Sequence, residues 1–233
     1  MKAFYLFVFL LSFTVSESQD LKGLINSVSK GGGLSTDEIG KGLKEALNVG
    51  VQKGTAQLSA TDGFFKNAAV KILMPPEAAK AEKVLRDMGL GAQVDDAILS
   101  MNRAAEDAAK SAAPIFVDAI KKMTIQDAAA ILKGTDTSAT SYLKQKTTAS
   151  LNKAFNPIIK QSLSKVDATK LWNAAFSNYN KLPFVKKVNT DLSAYVTEKA
   201  LSGIFYQVAE EEKNIRKNPV AQTTSLLKKV FGQ

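Results

Sequence analysis

The side chains of this sequence able to do chemistry are carboxylates, amides, amines, hydroxyls and phenols, because it contains no histidine and no cysteine. That excludes a Ser-His-Asp triad, a thiol nucleophile and the usual zinc, copper or non-haem iron centre. One cluster is Asn102, Arg103 and Glu106, within SMNRAAEDA. At about 100° per residue, Asn102 falls near the centre of an apolar helical stripe and Glu106 at its border, whereas Arg103 and Asp107 point away. An amide and a carboxylate four residues apart on such a seam could hold a ligand or a metal, or could bond a neighbouring helix end and fix its register. The second use is the expectation, since most buried polar side chains are satisfied by other protein groups.

A further cluster is Glu210, Glu211 and Glu212, followed by Lys213 and Arg216. Glu106 with Glu211 or Glu212 could serve as the acid and base of a hydrolase if two of them faced one cavity about 5 to 10 Å apart. A helical di-metal site would want a Glu-x-x-His element, and all-oxygen magnesium or calcium coordination finds no EF-hand loop here, so neither metal nor cofactor is expected. Glu212 and Arg216 are spaced to pair along one helix. Tyr195, Lys199, Ser202 and Tyr206 follow at i, i+4, i+7 and i+11. That row could bring two phenols and a cation onto an anion, or form a solvated edge. The glycines at 31–33 follow a helical pattern, so they are a hinge, not a phosphate loop.

The elements that must position these residues read as helices. Gly91 to Met123 carries Val94, Ile98, Met101, Ala105, Ala108, Ala112, Phe116, Ala119 and Met123 at spacings of three and four, the stripe of a helix that buries one face. Its small side chains suit the centre of a bundle, and Pro114 should kink or divide it. An earlier helix begins at a capping box of Ser35 and Glu38, with Gly40, Gly42, Gly50 and Gly54 explained by close helix crossings. Val70, Ile72 and Met74 alternate with Lys71 and Leu73, so a short extended strap is expected near 68–75. Further helices are expected from Glu77 to Met88, from a Thr124–Asp127 cap to Lys133, and from about Ser138 to Val166 with an interruption at Pro157. Asp167 should cap a helix around Trp172, and Thr190 and Asp191 should open the last long helix. A terminal helix is expected after Asn218 and Pro219.

The first eighteen residues read as a secretory signal peptide: a lysine at position 2, an apolar run from Ala3 to Leu11, then small polar residues, with cleavage expected after Ser18. A short amphipathic helix and the glycine hinge fill 19–33, and residues 34–233 form one helical domain. The chain has 233 residues and a net charge of +9, which suits contact with anionic envelope surfaces. Its lysines are scattered in ones and twos, unlike a nucleic-acid module. No nucleic-acid partner and no transmembrane segment in the mature chain are expected.

SMNRAAEDA, MTIQDAAAILKG, ATSYL, DLSAYVTEKALSGIF, AEEEKNIRKNP and LLKKVFG, in this order from Leu34 to Gly232, resemble the bacterial exported family called domain of unknown function 4197. The resemblance implies a helical protein exported in Gram-negative bacteria. It implies no catalytic residue. It marks Asn102, Arg103, Glu106, Asp127, Thr140, Tyr142, Asp191, Tyr195, Glu211, Glu212 and Arg216 as signature positions. The expectation is therefore an all-α, soluble periplasmic protein with a non-enzymatic role, binding an apolar or anionic ligand or an envelope partner between its long helices. Lipid, glycan and envelope protein are the candidate partners. A carboxylate-based hydrolase and a purely structural envelope protein are the alternatives.

Overall fold

In the computed structural model the described residues are 36–165, 169–170, 172–173, 177, 180–181 and 191–218. The expected signal peptide, glycine hinge, Ser35 and Asp167 caps and terminal helix lie outside them. The elements are α1 (Thr36–Ser59), a 3₁₀ turn (Pro76–Ala78), α2 (Ala79–Asp87), α3 (Gly91–Ala109), α4 (Ala112–Lys121), α5 (Ile125–Lys133), α6 (Ser138–Ser164) and α7 (Leu192–Lys217). The fold is all-α and forms a single domain, with no strand among the described residues.

The core is built on small side chains. Ala104, Ala105, Ala108, Ala109 and Ala112 are fully buried with Met101 and Phe116, so α3 is enclosed on more than one side. It packs against α6, α7 and α1, and alanines at the crossings let these helices approach closely. Helix α6 answers with Leu143, Thr147, Leu151, Phe155, Ile159 and Leu163, a buried line of every fourth residue. Burial along α7 moves from Leu192, Val196 and Ala200 to Ile204, Phe205 and Val208, and α7 touches α1, α3 and α6. Its shifting apolar face is thereby accounted for.

Three breakpoints follow from backbone chemistry. The long segment divides between Ala109 and Ala112, because Pro114 has no N–H for the carbonyl of Lys110 and its ring crowds that oxygen. The interruption expected in α6 at Pro157 is absent: the helix runs unbroken through it. Pro157 and Lys153 are both exposed, so water can take the carbonyl that proline leaves free. Beyond α2, Gly89 adopts φ 82°, and the Leu90 N–H donates to the Leu85 carbonyl at 2.9 Å, closing the helix with the left-handed cap that glycine favours.

Two glycines mark close approaches. A Cβ on Gly54 would stand 3.3 Å from Gln207 Cγ of α7, and one on Gly203 would stand 2.6 Å from Phe64 Cε1. Gly203 is thus the seat of the fully buried Phe64 ring. At Gly40 an added Cβ would meet nothing within 4 Å among the described residues.

Candidate functional site

Asn102 is fully buried on α3 and faces the irregular segment before the 3₁₀ turn. The extended strap expected near 68–75 is shorter than that: residues 68–70 form a turn in which the Val70 and Lys71 N–H groups both donate to the Asn67 carbonyl, at 3.1 and 2.8 Å, and the irregular chain of 71–75 follows, with Ile72 buried and Lys71 and Leu73 exposed. The Asn102 Oδ1 accepts the Ile72 N–H at 2.9 Å. Its Nδ2 donates to the Ile72 carbonyl at 2.8 Å and to the Ile98 carbonyl at 2.7 Å. One side-chain amide therefore satisfies both backbone polar groups of Ile72, a buried residue outside any helix.

Glu106 serves the preceding turn. Its Oε1 accepts the N–H groups of Phe64 and Phe65 at 3.1 and 3.2 Å. Its Oε2 accepts Arg103 Nη1 at 2.7 Å, and Arg103 Nη2 reaches Asp62 at 2.7 Å. Hydrogen bonds from Lys66 and then Arg103 hold the Asp62 carboxyl below its ordinary range. Arg103 thus points away from the stripe while its guanidinium turns back to its own neighbour.

Glu212 caps α6 from a distance. It accepts the N–H groups of Ala139 and Thr140 at 3.0 and 2.8 Å and the Thr140 hydroxyl at 2.8 Å. The first turn of a helix presents unpaired N–H groups and partial positive charge, which suit a carboxylate. Arg216 completes the node, donating to Glu212 and, at 2.9 Å, to the Ile131 carbonyl at the end of α5. Buried Glu211 pairs with Lys53 of α1 at 2.8 Å.

The phenols are dispersed. Tyr142 donates to Asp127 at 3.5 Å, with Lys146 5.6 Å from its ring centroid. Burial, then the Asp127 charge, raises its hydroxyl pKa. Tyr195 donates to the Leu73 carbonyl at 3.0 Å, and burial is the main cause of its raised pKa. Lys199 lies 5.6 Å from the Tyr195 ring centroid, whereas Tyr206 is 45% exposed. Asp191 caps α7 by accepting the Ser193 and Ala194 N–H groups.

A groove of about 510 Å³ lies between α6 and α7, within the roughly 300–1,000 Å³ typical of ligand sites. Lys144, Thr148, Asn152 and Asn156 form its α6 wall, and Thr197, Glu198, Leu201, Ser202 and Phe205 line the α7 side. Glu212 near the end of α7 meets the start of α6, so the two helices run antiparallel. Thr197 is 2% exposed and its hydroxyl has no partner among the described residues. The side chains of Asn152, exposed, and Asn156, half-buried, make no hydrogen bond among the described residues. Of the Tyr195 row only Ser202 reaches this groove. The polar row one position beyond Leu143, Thr147, Leu151 and Phe155 was its available sequence signal.

The family described as Protein of unknown function (DUF4197) matches residues 33–232. The chain belongs to that family. No curated protein and no solved structure matches it. In this DUF4197 member most of the polar side chains just described end on backbone groups: Asn102 and Tyr195 on the chain of 72–73, Glu106 on the turn at 64–65, Asp127, Glu212 and Asp191 at helix starts. No group of three acidic side chains gathers to hold a metal among the described residues, and no helix there is long and apolar enough to cross a membrane.

Proposed function

We propose that the protein is an exported, non-enzymatic binding protein of the Gram-negative envelope, and that it holds a ligand or an envelope partner in the α6–α7 groove. The observation that carries this reading is the groove itself, which sets side-chain amides on α6 opposite Leu201 and Phe205 on α7. Asn102, Glu106 and Glu212 are consumed by backbone groups or cations, whereas the groove presents the side-chain amides of Asn152 and Asn156 on its α6 wall. A few polar side chains beside the apolar Leu201 and Phe205 are what a binding site presents. A carboxylate hydrolase would need two acids free to face one cavity; Glu106 serves the turn at 64–65 and Glu212 the start of α6.

The test is native mass spectrometry of the full-length gene product recovered from the periplasm of a Gram-negative host. A mass excess that vanishes on denaturation, and is lost when Asn152, Asn156 and Thr197 are replaced together, supports the reading. A bare chain mass, unchanged by those replacements, removes it.

A further inference from the structure

We infer that the exposed face of α6 docks the protein onto an anionic phospholipid bilayer through the row Lys146, Lys153 and Lys160. This face lies beside the groove wall, and the inference stands without the binding reading above. Residues 137–166, which include the whole of α6, contain no Asp or Glu and carry Lys144, Lys146, Lys153, Lys160 and Lys165, all exposed. Each of the other described helices contains at least one acid. Lys146, Lys153 and Lys160 are seven apart, so at about 100° per residue they stay within roughly 40° of one another on the helix surface.

Lysines on other faces are answered locally: Lys41, Lys110, Lys122 and Lys213 each pair with a carboxylate three or four residues away, at 2.6 to 2.8 Å. The α6 row makes no ion pair among the described residues. Asp127 stands near Lys146 and Asp191 near Lys160, but both carboxylates are committed to helix starts, Asp127 at α5 and Asp191 at α7. The row therefore keeps its charge for a partner from outside. The chemistry of the face selects a lipid surface among polyanions. Its cations are lysines, compact point charges, and residues 137–166 hold no arginine to grip a single phosphate by two hydrogen bonds. No aromatic side chain is exposed on α6, so nothing there stacks on bases. No large apolar side chain is exposed on it either, so the face rests at the headgroups without entering the hydrocarbon. From Lys146 to Lys160 the row runs about 21 Å, which spreads its charge over several headgroups instead of one small anion.

The experiment measures partition of the full-length gene product, recovered from the periplasm of a Gram-negative host, into vesicles of phosphatidylglycerol and phosphatidylcholine in equal parts. Pure phosphatidylcholine vesicles and a DNA duplex are run beside them. Each lysine near an anionic surface contributes roughly fivefold in affinity, so Lys146→Gln, Lys153→Gln and Lys160→Gln together should weaken partition on the order of a hundredfold. Raising the ionic strength should close the gap between this triple variant and the parent. Glutamine keeps the helix propensity of lysine, so the unfolding midpoint should not move, and arginine at the three positions should retain binding. Lys41→Gln, Lys110→Gln and Lys122→Gln remove the same charge from other faces and should change partition by no more than about threefold. Equal losses in the two glutamine triples would reduce the effect to net charge and overturn the docking face. A parent that ignores the anionic vesicles, or binds them equally well without the row, overturns it too. A duplex bound more tightly than the vesicles through the same row overturns the lipid assignment.

Discussion

At the scale of single residues, the polar interior is held by a few side chains that each serve two or more backbone groups. Asn102→Ala would leave the Ile72 N–H and carbonyl buried without partners. It should cost about 2–4 kcal/mol, read as a lower denaturant midpoint, with accelerated exchange of the Ile72 amide. Unchanged exchange there would refute the clamp. Asp127 gives a pH prediction. Its carboxyl is held below the ordinary aspartate value, first by the Thr124 backbone N–H and then by the Thr124 hydroxyl. A lowered folded pKa means that the capping contribution is complete above the unfolded value of about 3.9 and disappears as pH falls below it through the folded pKa. Asp127→Ala should therefore cost on the order of 0.5–1 kcal/mol at neutral pH, with the gap to the parent protein closing in acid. A gap that stays constant would contradict the assignment. The burial of Asn102 was legible from its angle in the apolar stripe, but its partner was not, because Ile72 lies thirty residues earlier in the chain. Arg103 does point away from the stripe, with its side chain 38% exposed, but its ion pairs were not legible: helix geometry fixes where Cβ points, and a long side chain can bend its guanidinium back along the surface.

At the scale of elements, the helices were legible wherever apolar spacing and local caps agreed. The Thr124–Asp127 capping box and the glycine ending of α2 are both present. Elements that depend on distant chain were less legible. Thr137 precedes α6 but makes no side-chain cap bond; Glu212 supplies the cap instead. The fit of Gly203 against Phe64 also escaped local pattern, since it joins α7 to a turn far earlier. Gly203→Ala would drive its Cβ into the ring and should destabilise by about 1–3 kcal/mol. Combining it with Phe64→Leu should return part of that loss. Strict additivity in a double-mutant cycle would show that the contact is not shared.

At the scale of the whole molecule, the all-α class was readable from composition and periodicity, and a groove between long helices was expected, but most of the residues lining it were not singled out, because its two walls lie far apart in the sequence. Its residues should behave unlike those of the core. Replacing Asn152 and Asn156 together by alanine should change unfolding free energy by no more than about 0.5 kcal/mol, against the larger loss at Asn102; a comparable loss would mean that they serve the fold. The distant caps, finally, say something about the order of folding. Glu212 lies 73 residues beyond Ala139, and Glu106 lies 42 beyond Phe64, so neither carboxylate can satisfy its backbone target before the helices have met. If docking follows the rate-limiting step, Glu212→Gln will speed unfolding and leave the refolding rate nearly untouched, a φ-value near zero. The bond that starts α6 in the finished structure would then be among the last to form in time.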